Sequence, residues 1–145
     1  LVAACDLAVA SECSKFATSG INVGLFCSTP AVPVSRSLSR KRSMELLLTG
    51  DFIDATTALK WGLINRVTSL EKIDYVTHEL ADKILSKSSL AVFVGKKMFY
   101  EQLECKIDDA YDYAGKIMAK NMMAKDVSEG IDAFFSKREA IWKGI

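Results

Sequence analysis

The first 26 residues, LVAACDLAVASECSKFATSGINVGLF, constrain the fold more than any other part of the chain. Asp6 to Ser11 is mostly apolar and lies between polar neighbours, which predicts a strand covered on both faces. Ser14 to Ala17 is compatible with a second short strand. Thr18 to Pro30 contains two glycines, several hydroxyl side chains and a proline, which predicts a loop. We therefore expect strands followed by a loop that lines a pocket.

The residues after this loop are predicted to be mostly helical. Pro33 fits the first turn of a helix, where no amide donor is needed, and that helix should run to about Ser39. A second helix is expected from Arg42 to Thr49, and Gly50 should end it.

One more strand and several helices complete the pattern. Asp54 can cap a helix, and the alternating sequence LINRV at residues 63–67 predicts a short strand. Apolar residues then recur at helical spacing to the end of the chain. Asp126 with Glu129 is expected to cap the last helix.

Composition limits the classes of partner and metal. Nineteen basic and eighteen acidic residues leave a formal net charge of +1, so no field attracts nucleic acid. No apolar run reaches the roughly 18 residues that a membrane span requires. The four cysteines form no Cys-x-x-Cys pair and the single histidine, His78, is far from them in sequence, so we expect no metal site.

Three blocks of sequence occur in the order typical of one family. The blocks are Ala4–Ser11 with Phe16, Ala17, Val23 and Gly24; Leu48–Gly50 with Ala55–Ala58 and Trp61–Val67; and Glu129–Phe134 with Lys137 and Arg138. Together they resemble the crotonase, or enoyl-CoA hydratase/isomerase, superfamily. The segment Asn22 to Pro30 resembles the pocket loop of one subgroup, the enoyl-CoA hydratase domain-containing protein 3 type.

The resemblance implies a fold and an assembly. The expected fold is α/β, with the rear part of a crotonase-like spiral core at residues 1–67 and a C-terminal helical region at residues 68–145. In the family, the helical region packs subunits together, so a homotrimer or hexamer is expected. Because the chain opens inside the expected fold, it resembles the C-terminal part of a longer protein. Mitochondrial location and a role in fatty acid metabolism are also implied.

The resemblance leaves no intact catalytic residue in this chain. In the family, two backbone amides stabilise the enolate of a thioester, and one or two carboxylates move protons or activate water. By resemblance, both amides and the first glutamate would precede Leu1. The second glutamate would fall at Gly20, and glycine cannot move a proton.

Three explanations of Gly20 stay open. Gly20 marks a lost catalytic group in a protein that only binds acyl-CoA, or another carboxylate or a small bound anion does the chemistry, or Gly20 is a turn glycine. The expected function also stays open. The alternatives are hydration or isomerisation of an enoyl-CoA, a catalytically impaired acyl-CoA-binding or regulatory protein, and a purely structural helical module with no ligand.

The resemblance also implies ligand contacts. The expected substrate contacts are Gly20, Val23, Gly24 and Phe26. Phe134 and Lys137 match positions that hold the adenine and the 3′-phosphate of CoA; without the match they would be a core phenylalanine and a solvated lysine on an amphipathic helix. CoA would be part of the substrate, so no separate cofactor is expected. A basic cluster at residues 36–42 is either a solvated helix face or a contact for CoA phosphates or a partner subunit.

Overall fold

The computed structural model describes all 145 residues. In its first half, a strand near the beginning pairs in parallel with a strand near the end. Strand β1 (Val9–Ser11) pairs with β4 (Arg66–Thr68). Strands β2 (Lys15–Phe16) and β3 (Ile53–Asp54) form a short antiparallel pair. Parallel strands need a crossover connection, and the helices between β1 and β4 supply it.

Three helices form this crossover. They are α1 (Ser28–Ser37), α2 (Arg40–Thr49) and α3 (Ala55–Trp61). The Asp54 carboxylate accepts the Thr57 N–H at 2.7 Å, which caps α3 as predicted and lowers the pKa of Asp54. Gly50 ends α2, also as predicted, with a left-handed φ of 67°.

An apolar cluster lies between these helices and strands. Its buried members are Ala10, Val34, Leu38, Leu46, Leu47, Ala58, Leu63 and Ile64. The buried Thr18 hydroxyl donates to the Leu46 carbonyl at 2.7 Å, which fixes the predicted loop to α2. The loop therefore packs against the core and contains a 3₁₀ helix at Ser19–Val23.

Packing divides the chain into two units, Leu1–Glu79 and Leu80–Ile145. The later elements are a 3₁₀ helix (Leu70–Lys72), α4 (Ile73–Leu85), α5 (Ser89–Gln102), α6 (Ile107–Met122) and α7 (Lys125–Phe135). In the second unit, the buried apolar residues are two alanines, Ala110 and Ala133. None of the helices combines the length and the apolar character needed to cross a bilayer. The predicted division at residue 67 stays a prediction.

The placement of Pro33 in a first helical turn is wrong. Helix α1 begins at Ser28, so Pro33 lies inside it and Pro30 occupies the first turn. The carbonyl of Cys27 accepts the N–H of Ala31 at 2.9 Å, which starts the helix upstream of the expected position. The helix also ends slightly earlier than expected, at Ser37.

The first strand is shorter than predicted, and a side chain takes the place of the backbone acceptor for the Ala8 N–H. The Asn65 side chain accepts the Ala8 N–H at 2.8 Å, and the Asn65 N–H donates to the Ala8 carbonyl at 2.8 Å. Ladder pairing therefore begins at Val9. The partner strand is shifted to Arg66–Thr68, because Leu63 and Ile64 point into the core instead.

Candidate functional site

A cavity in the first unit lies beside Gly20. Its volume is about 530 Å³, and its walls come from the start of the chain, the Thr18 loop, α1 and α2. Apolar side chains such as Phe16, Val34 and Leu46 line it. The predicted loop therefore does line a cavity, and Gly20 lies on its wall.

The backbone closes tightly around Gly20. The Gly20 carbonyl accepts the Leu25 N–H at 3.0 Å, which folds the loop back on itself. A Cβ placed on Gly20 would lie 2.7 Å from the Leu25 carbonyl oxygen and 2.8 Å from Cys27 Sγ. Since the first of these contacts is backbone, any side chain at this position requires the loop to move.

The loop is also fixed to the end of α2. The Asn22 side chain donates to the Gly50 carbonyl at 3.4 Å, and a Cβ on Gly50 would meet Asn22 and Ile21 at 2.7 Å. Gly50 thus has two local roles, a left-handed helix end and a close approach to the loop.

The wall of this cavity offers little acid–base chemistry. Lys15 and Cys27 are its ionisable side chains, and no aspartate or glutamate lines it. Such a lining can hold an apolar group away from water. It does not contain a carboxylate that could pass a proton to a bound molecule.

The other predicted loop residues lie away from this cavity wall. Val23 is 83% exposed, and Gly24 ends the 3₁₀ helix with a φ of 81°. Phe26 lines a separate groove with Arg36 and Arg40, so it does not share the wall with Gly20.

The basic cluster divides between two environments. Arg36 and Arg40 border the groove that contains Phe26. Arg42 instead donates to the carbonyls of Lys60 and Trp61 and lies 5.9 Å from the centre of the Trp61 ring. Arg42 therefore fixes the end of α3 and is not part of the groove.

In the second unit, the structure brings Phe134 and Lys137 into one helical turn. The Lys137 N–H donates to the Phe134 carbonyl at 3.2 Å. Phe134 is 79% exposed and packs edge-on against the Phe135 ring, with 5.8 Å between the ring centroids. An exposed aromatic ring and a lysine thus occur together at the end of α7.

The prediction that Asp126 caps the last helix is wrong. The N-cap is Ala124, which makes no side-chain bond. The Asp126 carboxylate is buried and accepts the Ser88 hydroxyl at 2.6 Å and the N–H groups of Lys143 and Gly144 at 2.8 and 3.0 Å. These bonds, the Ser88 hydroxyl foremost, lower the pKa of Asp126. Because these donors satisfy the carboxylate, it binds Ser88 and the C-terminal segment and does not cap α7.

Glu129 holds the same segment one turn further along the helix. Its carboxylate accepts both Nη atoms of Arg138, at 2.6 and 2.9 Å, and the Ile141 N–H at 2.8 Å. The Arg138 hydrogen bonds lower the pKa of Glu129 to about 2, with a further contribution from the Ile141 N–H. The sequence analysis did not predict this contact. The available signal was a glutamate and an arginine, nine residues apart, on either side of a helix end.

No group of three or more histidine, cysteine, aspartate or glutamate side chains is arranged to hold a metal ion. All four cysteines are free thiols.

Comparisons with known proteins place these features in context. A family model described as enoyl-CoA hydratase/isomerase matches residues 1–145. The mitochondrial enoyl-CoA hydratase domain-containing protein 3 of Rattus norvegicus is 48% identical over 142 residues, which cover 98% of this chain and 47% of that protein. The Homo sapiens protein of the same name is 45% identical, with coverage of 98% and 47%. The chain spans about half the length of the curated relatives it matches.

Solved structures show the same relationship. An enoyl-CoA hydratase from Mycobacterium smegmatis superposes with a TM-score of 0.94 at 48% identity, over 97% of this chain and 55% of that one. Human enoyl coenzyme A hydratase domain-containing protein 3 superposes with a TM-score of 0.91 at 45% identity, over 97% and 56%. These superpositions confirm the predicted crotonase-like α/β fold.

Proposed function

Because the chain belongs to the enoyl-CoA hydratase/isomerase family, we propose that it handles acyl-CoA and that the whole protein hydrates or isomerises an enoyl-CoA thioester. The observation that carries this proposal is the family match along residues 1–145. The apolar cavity beside Gly20 supports it, since an acyl chain needs an apolar wall. We also propose that the loop residues Gly20, Val23, Gly24 and Phe26 contact the substrate, Gly20 at the cavity wall and the other three outside this cavity.

The proposed reaction proceeds through an enolate. In hydration, a base takes a proton from water, the hydroxide adds to the β-carbon, and the α-carbon then receives a proton. In isomerisation, a proton leaves one carbon and returns to another. Both routes place negative charge on the thioester oxygen, where amide N–H groups stabilise it. The role of this chain is to bind the acyl group, through apolar residues such as Phe16 and Leu46.

A second function is favoured by the packing at Gly20. The position cannot hold a carboxylate without movement of the loop, because a Cβ would meet the Leu25 carbonyl oxygen at 2.7 Å. Among the residues of this chain, no aspartate or glutamate lines the cavity. A catalytically impaired acyl-CoA-binding or regulatory protein is therefore the alternative.

The helix end with Phe134 and Lys137 is our proposed contact for the nucleotide end of CoA. The aromatic ring can stack on a purine, and the ammonium can pair with a phosphate. We further propose a mitochondrial location, as in the names of the relatives, a role in fatty acid metabolism, and assembly into a homotrimer or hexamer.

Turnover of crotonyl-CoA by the whole protein separates the two functions. Loss of the enoyl thioester absorbance at a rate proportional to protein concentration supports the enzyme. Binding of crotonyl-CoA with no turnover of crotonyl-CoA or of its 3-enoyl isomer supports the impaired protein. The absence of both binding and turnover would contradict both functions.

The variant Gly20→Glu gives a further check on the cavity. Because its side chain collides with the loop backbone, we expect it to weaken acyl-CoA binding and not to create hydratase activity. A gain of hydratase activity would instead show that only a carboxylate was missing.

A further inference from the structure

The end of α7 contains a left-handed residue that is not glycine. The Lys137 N–H donates to the Phe134 carbonyl at 3.2 Å, and the Arg138 N–H donates to the Ala133 carbonyl at 3.1 Å. This pair of bonds is a Schellman motif, whose left-handed position is usually glycine. Lys137 occupies it with a φ of 53° and is the only non-glycine residue of the chain with a positive φ.

The residue after Lys137 is held from outside the motif. Arg138 pairs with Glu129 through two hydrogen bonds, of 2.6 and 2.9 Å. Glu129 also accepts the Ile141 N–H at 2.8 Å. One carboxylate on α7 therefore holds the segment beyond Lys137 at two points, the Arg138 side chain and the Ile141 backbone. Strained backbone persists where its surroundings over-determine it.

The C-terminal segment is held independently of Glu129. Trp142 Nε1 donates to the Ser86 carbonyl at 2.8 Å, and the Trp142 ring covers Gly130, where a Cβ would lie 3.1 Å from it. Asp126 accepts the N–H groups of Lys143 and Gly144. Removal of the Glu129–Arg138 pair would thus loosen the turn at Lys137 while the rest of the segment stays attached.

Glycine at position 137 would relieve the strain, so a lysine there indicates a use for its side chain. The exposed Lys137 ammonium and the exposed Phe134 ring belong to one turn, and no acidic partner of Lys137 is present among the ion pairs of the structure. A phosphate monoester next to a purine has the matching chemistry.

We propose that Glu129 is a positioning residue, which acts through Arg138 to hold Lys137 in its left-handed conformation for the 3′-phosphate of CoA. The inference rests on the proposed function, because that function supplies the ligand. It adds that the phosphate preference depends on an ion pair that does not touch the ligand.

Calorimetric titration of the whole protein with CoA and with 3′-dephospho-CoA tests this. The ratio of the two Kd values isolates the 3′-phosphate, and we expect the protein to favour CoA by about tenfold. Lys137→Gly and Lys137→Ala should both bring the ratio to one, but only Lys137→Gly should raise Tm. Glu129→Gln should bring the ratio most of the way to one, and its Kd for 3′-dephospho-CoA should be unchanged.

Two further variants keep the test decisive. Arg138→Lys keeps the charge but loses the bidentate contact with Glu129, so it should also lower the ratio of Kd values. It therefore tests the inference if Glu129→Gln fails to fold. Lys116→Ala, on an exposed part of α6, removes a matched charge and should leave the ratio unchanged.

The outcomes separate this inference from the proposed function. Tight CoA binding with a ratio of one overturns the inference and leaves acyl-CoA handling intact. An undiminished ratio in Lys137→Gly, or in both Glu129→Gln and Arg138→Lys, also overturns it. No binding of either nucleotide rejects the proposed function together with the inference.

Discussion

The interactions that stabilise the first unit internally differ from those within the second unit. The first unit buries a cluster that includes Leu38, Leu46 and Leu47, so burial of apolar surface stabilises it. In the second unit, the buried apolar residues are Ala110 and Ala133, and the buried polar residues are Ser88 and Asp126. There the C-terminal segment is fixed by carboxylates. The comparison indicates that the first unit responds to changes of side-chain volume and the C-terminal segment to changes of charge.

The largest expected effect is loss of core volume in the first unit. Leu46 is 3% exposed, and Leu46→Ala should lower the free energy of unfolding by about 2–5 kcal/mol. Leu48 lies on the same helix but is 54% exposed, so Leu48→Ala is the matched control, with an expected loss below about 1 kcal/mol. Urea unfolding of both variants measures the difference. Equal losses would contradict the description of the core.

The next effect is at the closed loop. Gly20→Ala should destabilise the protein by about 1–3 kcal/mol, because the new methyl group meets the Leu25 carbonyl oxygen. In α6, a Cβ on Gly115 meets nothing within 4 Å, so Gly115→Ala should stabilise by about 1 kcal/mol. Urea unfolding would reveal these opposite signs. A neutral or stabilising Gly20→Ala would show that the loop yields easily.

A third test uses acid, and its effect should appear in the second unit. The pKa of Glu129 is lowered from 4.5 to about 2, so its stabilising contribution is complete above pH 4.5 and is lost as the pH falls toward 2. The lowered pKa of Asp126 acts in the same direction. Trp142 fluorescence, recorded in a Trp61→Phe background, should change over this range. Glu129→Gln should reduce the change, and an identical acid transition in that variant would argue against the ion pair.

The smallest expected effect is at the left-handed lysine. Lys137→Gly should raise the free energy of unfolding by about 1 kcal/mol, because glycine adopts positive φ without a steric cost. Lys137→Ala keeps the strain and serves as the control. Thermal unfolding compares the two, and equal Tm values would mean that Lys137 is not strained.

Sequence alone predicted the features that depend on local signals. The Asp54 cap, the helix end at Gly50 and the order of helices follow from caps, glycines and apolar spacing. The resemblance placed Gly20 on the pocket loop, and the structure places it on a cavity wall. Features that depend on distant partners were missed. Asn65 shortens the first strand, and Asp126 binds a segment 17 and 18 residues away, which no local pattern encodes.

The central claim is that the cavity beside Gly20 receives the acyl part of a CoA thioester, and the most direct test compares butyryl-CoA with free CoA by calorimetric titration of the whole protein. Burial of the acyl carbons at about 0.8 kcal/mol for each methylene predicts that butyryl-CoA binds at least about tenfold more tightly. Equal affinities for the two ligands would contradict the claim.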